Sequence, residues 1–271
     1  MSSLQSALLT DHCVHPICIA TPFAVGDVFC YLIVDEKVVL VDAGPYTDEA
    51  NGQLSREFQE HGLRISDLDE IWLTHGHPDH FGQVARIVEQ SGARVYGHPQ
   101  ERTNFAGNDD GDLFEDFFRQ HRIPSRMIRE MVQQLDWLQQ YQQPIEPEWI
   151  AEGDQLTSGA LTATVKHTPG HAPGHVVFES DQGVIFGGDL LLGHISTNAL
   201  INFDPDTDRR NQSLLQYRQS LQWMRQQEGM VLPGHGNIIE EVTEVADHHL
   251  SAHDKRYHKI RKCWPGSRGD S

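Results

Sequence analysis

A chain of 271 residues with a formal net charge of −18 repels a phosphate backbone, so its composition argues against general nucleic-acid binding. Its hydrophobic content of 38% is typical of a globular protein, and no stretch approaches the roughly 20 apolar residues of a membrane span. The first residues lack a signal-peptide pattern, and the four cysteines lack C-x-x-C spacing. We therefore expect a cytoplasmic protein with reduced thiols and with neither nucleic-acid nor membrane partners.

The N-terminal part of the chain predicts strands and helices in alternation. Two β-rich runs between Ile17 and Asp42 flank the charged turn DEK and predict a hairpin. The patterns that follow are a helix in EANGQLSREFQEHG, a strand in LDEIWLTH, a helix in FGQVARIVEQSG and a strand in ARVYGHP. In α/β folds, a loop that leads from a strand into a helix is a common place for a functional site.

Residues from about 105 to 146 interrupt this alternation. Apolar residues such as Phe117 and Met131 recur there at helical spacing, and they predict an inserted helical pair that either packs on the core or lines a substrate pocket. After Trp149, strand patterns return around one helix, and a final helix is predicted at about 240–262. We expect one α/β domain over residues 1–271, a sandwich of two mixed β-sheets covered by helices on both faces.

The stretch WLTHGHPDHFGQ, residues 72–83, concentrates the chemistry of the chain. It places His75, His77, Asp79 and His80 directly after an apolar strand. Buried imidazole and carboxylate groups cost free energy unless they are hydrogen-bonded or bound to a metal, so the cluster predicts a bound cation. These side chains suit zinc, manganese or iron.

Three later motifs each follow a β-rich run: HTPGH with His171, GGD with Asp189 and PGHG with His235. Together with the cluster, and with Asp42 in the preceding motif VDAG, they resemble the metallo-β-lactamase-fold superfamily over roughly residues 23 to 240. The resemblance implies an αββα sandwich with a helical insertion. It also implies two divalent metal ions, with zinc as the first choice and iron or manganese as alternatives.

The resemblance further implies a role for each motif residue. Asp42 would orient the ligands through hydrogen bonds, and Asp79 would act catalytically by orienting the bridging water and accepting its proton. His167 and His175 are expected to pack or form hydrogen bonds and not to bind metal. The implied ligands are His75, His77 and His171 for the first ion and Asp79, His80 and His235 for the second, with Asp189 bridging the two.

Such a site implies a metal-dependent hydrolase in which a hydroxide bridging the two ions attacks an activated acyl compound. The metal motifs of the chain resemble those of glyoxalase II. However, the segment LLLGHISTNALINF after Asp189 departs from the glutathione-binding segment of that enzyme. We therefore expect a small-molecule substrate with an apolar acyl group, a thioester first and a lactone or ester second. His194 and Asn198 are candidate substrate contacts, although His194 could instead form local hydrogen bonds.

Several alternatives stay open at this point. A phosphodiesterase or nuclease of the same fold, a mononuclear iron enzyme resembling persulfide dioxygenases, and a non-catalytic metal-binding scaffold are each compatible with the cluster. The basic segment HDKRYHKIRK, residues 253–262, either ends the last helix in solvent or holds the anionic end of a thioester. The oligomeric state is also open, with a homodimer as one option.

Overall fold

Two mixed β-sheets face each other in the computed structural model, which describes residues 13–107 and 111–263. The first sheet contains six strands, adjacent in chain order: β1 (Val14–Ile19), β2 (Val28–Val34), β3 (Val38–Val41), β4 (Glu70–Trp72), β5 (Arg94–Gly97) and β6 (Glu148–Trp149). The first three strands are antiparallel, and the strands from β3 to β6 run parallel. Parallel strands joined by helices bring several strand ends to the same edge of the sheet.

The second sheet contains five strands. They are β7 (Gln155–Ser158), β8 (Leu161–His167), β9 (Val176–Ser180), β10 (Val184–Gly188) and β11 (Met230–Pro233). Their order across the sheet is β11-β10-β9-β8-β7, and only the pair β10 and β11 is parallel.

Large aromatic side chains fill the space between the sheets. The ring centroids of Trp72 and Phe178 are 5.6 Å apart, and those of Tyr31 and Phe186 are 5.8 Å apart. All four rings are buried in one cluster to which both sheets contribute. Such aromatic pairs add to the free energy gained by removing apolar surface from water, so they fix how the two sheets lie against each other.

Helices cover the outer face of each sheet. Leu54 and Phe58 of the first helix pack on the first sheet, and Leu221 and Met224 of the seventh pack on the second. This αββα arrangement confirms the predicted fold class. The eight α-helices of the described residues are α1 (Asp48–Glu60), α2 (Pro78–Phe81), α3 (Val84–Ser91), α4 (Arg102–Phe105), α5 (Gly111–Gln120), α6 (Ser125–Gln139), α7 (Ser213–Met224) and α8 (Val242–Cys263).

The predicted helical insertion contains α5 and α6. Each helix buries a single residue, Phe118 in α5 and Ile128 in α6, and α6 exposes the large apolar side chains of Met127 and Trp137. The pair therefore contributes little to the packed core. Across the described part of the chain, none of the helices combines the length and the apolar composition that a membrane span needs.

The structure differs from the sequence predictions at several short segments. β1 begins before the predicted hairpin and contains Pro16, which is tolerated because β1 is an edge strand. The strands β6 and β7 were not separately predicted. The strand predicted in LDEIWLTH ends at Trp72, and part of the loop that follows forms the short helix α2.

Candidate metal centre

All seven predicted ligands lie on segments that follow the carboxyl end of a strand. His75 comes shortly after β4, His77 is the N-cap residue of α2, and Asp79 and His80 belong to that helix. Pro78 suits the first helical position because its fixed φ is already helical and no N–H is needed there. The other three ligands are His171 after β8, Asp189 after β10 and His235 after β11.

The first donor group consists of His75, His77 and His171. His77 Nδ1 lies 2.9 Å from both His75 Nε2 and His171 Nε2. Burial and, after it, the neighbouring His171 together lower the pKa of His77 to about 3, and burial also lowers the pKa values of His75 and His171, so these rings are neutral near pH 7. Three neutral imidazoles that direct ring nitrogens at one point form a metal-ligand set.

The second donor group consists of Asp79, His80 and His235. Their potential ligand atoms lie within 4.8 Å of one another, and His235 Nε2 is 3.2 Å from Asp79 Oδ2. Burial lowers the pKa of His80, but Asp189, Asp42 and Asp79 raise it more, so the net shift is well upward. Carboxylates thus make this group attractive to a positive charge.

The carboxylate of Asp189 lies between the two donor groups. Its Oδ1 is 3.5 Å from His80 Nε2, while its Oδ2 is 3.5 Å from His171 Nε2 and 3.7 Å from His235 Nε2. Burial raises the pKa of Asp189, but the surrounding histidines lower it well below its usual range. An ionised carboxylate whose oxygens lie near ligand atoms of both groups is suited to bridge two cations.

Unpartnered buried atoms test whether these residues fit metal ions. His80 Nε2, Asp189 Oδ1 and His235 Nε2 are buried and have no hydrogen-bond partner within the part of the chain that the structure describes. A buried polar atom without a partner costs about 1–3 kcal/mol, so three of them at one point are expensive unless a ligand satisfies them. The imidazole and carboxylate set fits divalent metal ions.

The comparison with known families agrees with this geometry. Residues 24–235 match the family model described as the metallo-beta-lactamase superfamily. The chain belongs to the metallo-β-lactamase superfamily. Membership confirms the resemblance drawn from the motifs, and together with the histidine and aspartate groups it supports a metal-dependent hydrolase.

Individual relatives are similar to this superfamily member to different extents. The "Probable metallo-hydrolase YqjP" of Bacillus subtilis is 30% identical over 267 residues, which cover 94% of this chain and 81% of that protein. A hydroxyacylglutathione hydrolase of Pseudomonas putida is 32% identical over 128 residues, only 46% of this chain and 34% of that protein. The crystal structure of the metallo-beta-lactamase family protein TTHA1429 from Thermus thermophilus has a TM-score of 0.81 and 26% identity, covering 94% of this chain and 83% of that one.

Asp42 connects the two donor groups of this metallo-β-lactamase fold through hydrogen bonds. Its Oδ2 accepts a hydrogen bond from His80 Nδ1 at 2.8 Å, and its two oxygens accept bonds from the backbone and hydroxyl of Thr74. Thr74 Oγ1 also lies 3.0 Å from His75 Nδ1. Asp42 therefore orients ligands of both donor groups, as outer carboxylates do in metal sites.

Backbone carbonyls orient two further ligands. The Nδ1 of His171 lies 3.0 Å from the carbonyl oxygen of Asn198, and the Nδ1 of His235 lies 2.7 Å from that of Asp27. When Nδ1–H donates to these carbonyls, the lone pair of Nε2 is left for a metal.

His175 and His167 form hydrogen bonds near the site. His175 Nδ1 lies 2.8 Å from Thr168 Oγ1, and its Nε2 accepts the backbone N–H of Asp189 at 3.1 Å. His175 therefore fixes the backbone of Asp189. His167 Nε2 lies 2.9 Å from the carbonyl oxygen of Pro173, and its ring stacks on His98 at a centroid distance of 4.2 Å.

Glu101 is a site residue that the sequence reading missed. Its Oε2 accepts the backbone N–H of Gly76 at 3.1 Å, and its Oε1 accepts that of Gly174 at 2.6 Å. It is fully buried. One carboxylate thus ties the loop of the first motif to the loop of the third, but no spacing signal in the sequence marks an isolated glutamate at the end of a short turn.

A cavity of about 790 Å³ opens beside the first donor group. His77 and Asn198 line it, whereas His194 is exposed and its ring lies against Gly236, where an added Cβ would be 2.5 Å from Nδ1. Of the two predicted substrate contacts, the structure therefore brings only Asn198 to this cavity. The apolar side chains of its wall are Phe114, Phe118, Met127, Ile128, Met131, Val132, Leu135, Leu138, Ala199, Leu200, Ile201 and Leu214.

Proposed function

We propose that this chain hydrolyses an activated acyl compound, a thioester first and a lactone or ester second, with two divalent metal ions, zinc being the first choice. The observation that carries the proposal is the pair of donor groups joined by Asp189 at the end of a largely apolar cavity. His75, His77 and His171 would hold one ion, and Asp79, His80 and His235 the other. When bound, such a pair supplies a water of lowered pKa and polarises the carbonyl oxygen of the substrate.

Asp79 is proposed to orient the attacking water and to accept its proton at Oδ2. Burial raises the pKa of Asp79, but His80 and His235 lower it more, so the carboxylate is ionised at neutral pH and free to accept a proton. His235 Nε2, 3.2 Å from Asp79 Oδ2, limits where that oxygen can lie. Asp79 would combine ligation with proton transfer.

The cavity wall supports an acyl substrate over a phosphodiester. Apolar side chains of α5 and α6 would cover the acyl group and exclude water from the reacting carbonyl. The net charge of −18 disfavours the approach of a polyanionic nucleic acid. The local similarity to a hydroxyacylglutathione hydrolase also favours acyl chemistry.

Steady-state kinetics on the zinc-loaded protein test the substrate class. We expect kcat/KM for hexanoyl N-acetylcysteamine, a neutral thioester, to exceed that for bis(p-nitrophenyl) phosphate by at least about tenfold, or 1.4 kcal/mol of transition-state preference. The reverse preference would favour the phosphodiesterase alternative. Activity that requires a single iron and dioxygen would favour the oxidoreductase alternative.

A further inference from the structure

Helix α8 contributes two nitrogen-bearing side chains, His253 and Arg256, to the wall of the cavity. They are three residues apart in the chain and therefore project from the same face of the helix. Both belong to the basic segment 253–262. The exposed residues Lys255 and Lys259 of that segment are absent from the cavity wall.

Arg256 is a cation of the cavity wall that no carboxylate of the described residues neutralises. Two acidic residues also line the cavity, but Glu115 contacts Arg119 at 2.9 Å and Glu130 contacts Arg126 at 2.8 Å. Among residues 13–107 and 111–263, no carboxylate lies within ion-pair distance of Arg256. Its guanidinium is exposed and, among the described carboxylates, none occupies it; it presents donors in a fork that matches carboxylate and phosphate oxygens.

His253 lines the same wall and carries an unpartnered nitrogen. The residue is only 6% exposed, its ring lies 5.6 Å from that of Tyr217, and its Nδ1 is itself buried and has no hydrogen-bond partner in the described part of the chain. Burial lowers the pKa of His253, and Arg218 and Arg256 lower it further, so the ring is neutral near pH 7. A neutral imidazole with a free nitrogen can donate one hydrogen bond to an anion.

We infer that Arg256 and His253 bind an anionic oxygen group of the substrate, a carboxylate or a phosphate, while the reacting carbonyl lies beside His77. This inference rests on the proposed function, because it assigns the cavity to that substrate. The apolar residues of α6 lie on the same cavity, so the ligand would be an amphipathic anion with an apolar segment. The acyl part or the thiol part could carry the anionic group.

Four thioesters distinguish these two sources. Hexanoyl-CoA against hexanoyl N-acetylcysteamine tests an anion on the thiol part. Adipoyl N-acetylcysteamine against its monomethyl ester tests an anion on the acyl part. In one of these pairs, Arg256→Gln should lower kcat/KM for the charged member by at least about tenfold, or 1.4 kcal/mol, and change the neutral member less than about twofold.

Matched variants separate anion binding from a structural effect. Arg256→Lys should recover part of the loss, because it keeps the charge without the planar fork. Lys255→Gln, which removes a neighbouring charge outside the cavity wall, should leave kcat/KM unchanged for both pairs of thioesters. His253→Gln should lower kcat/KM for the same charged thioester as Arg256→Gln does. If Arg256→Gln lowers kcat/KM equally for the charged and the neutral member of each pair, or lowers it for neither, the inference is overturned.

Binding of the corresponding thioethers makes the inference independent of hydrolysis. Hexyl-CoA and S-hexyl N-acetylcysteamine can be titrated calorimetrically into wild-type protein and Arg256→Gln. The thioether counterparts of adipoyl N-acetylcysteamine and of its monomethyl ester complete the set. Charge-dependent binding that Arg256→Gln abolishes, in a protein that cleaves none of the thioesters, would refute the proposed function and leave the anion site standing. Equal affinity of both proteins for every charged thioether would refute the anion site itself.

Discussion

The metal centre and the cavity wall are built by different means. The ligands lie at the ends of strands, nearly all of them are buried, and four of them are held through Nδ1 contacts to Asp42, Thr74 or a backbone carbonyl. The cavity wall comes from α5, α6 and α8 and exposes large side chains such as Met127 and Met131. Under the proposed function, the strand ends would fix the chemistry, whereas helices with few buried contacts would determine which substrate fits.

Removing the bridge between the donor groups should have the largest effect. Asp189→Ala deletes the carboxylate that lies near ligands of both groups, so we expect kcat/KM to fall by about 10⁴-fold, or roughly 5 kcal/mol of transition-state stabilisation. Kinetics at saturating zinc measure the loss. The variant Asp181→Ala, at an exposed turn between β9 and β10, is the control and should retain full activity. A loss of less than tenfold for Asp189→Ala would show that catalysis does not need the bridge.

Asp79→Asn should reduce turnover by about 10³-fold, because it removes a proton acceptor together with an anionic ligand oxygen. The midpoint of thermal unfolding should change little, since the Asp79 side chain lies in the candidate metal centre and not in the hydrophobic core. Parallel measurement of kcat and the unfolding midpoint checks this prediction. Unchanged kcat would refute the role assigned to Asp79.

Asp42→Asn should weaken metal binding by about 10–100-fold, which is typical for carboxylates that orient ligands without touching the metal. The amide keeps the size of the side chain, but its nitrogen is a donor and cannot accept the hydrogen bonds from Thr74 or His80 that the replaced carboxylate oxygen accepts. Competition with a zinc chelator measures the affinity. Wild-type affinity in a folded variant would mean that these hydrogen bonds do not position the ligands.

A change in the cavity wall should have the smallest effect and the most selective one. Met131→Ala should shift the relative kcat/KM between acetyl and hexanoyl thioesters by about threefold to tenfold, because apolar contact worth roughly one buried methylene, about 0.8 kcal/mol, is lost in the pocket. Phe117→Ala is the matched control on the same insertion, since Phe117 packs against Phe203 and lies outside the cavity lining. If Met131→Ala changes only the unfolding midpoint, α6 is merely packing.

The metal motifs were recognisable because their residue types and their order resemble the pattern of the superfamily, and they come together because each of them follows a strand. Glu101 was not predictable, because its partners Gly76 and Gly174 are close only in the folded chain. Segment 253–262 was recognised as basic, but its composition does not tell which side chains face the cavity. That choice depends on how α8 is rotated against α7, which the packing of His253 on Tyr217 illustrates.

The number of metal ions per chain tests the central claim most directly. Elemental analysis of zinc-saturated protein should give two equivalents for the wild type and one for His235→Ala, because His235 belongs only to the second donor group. His194→Ala, which removes an exposed neighbouring histidine, should keep two equivalents. One equivalent in both the wild type and His235→Ala would contradict a centre in which Asp189 joins two metal sites.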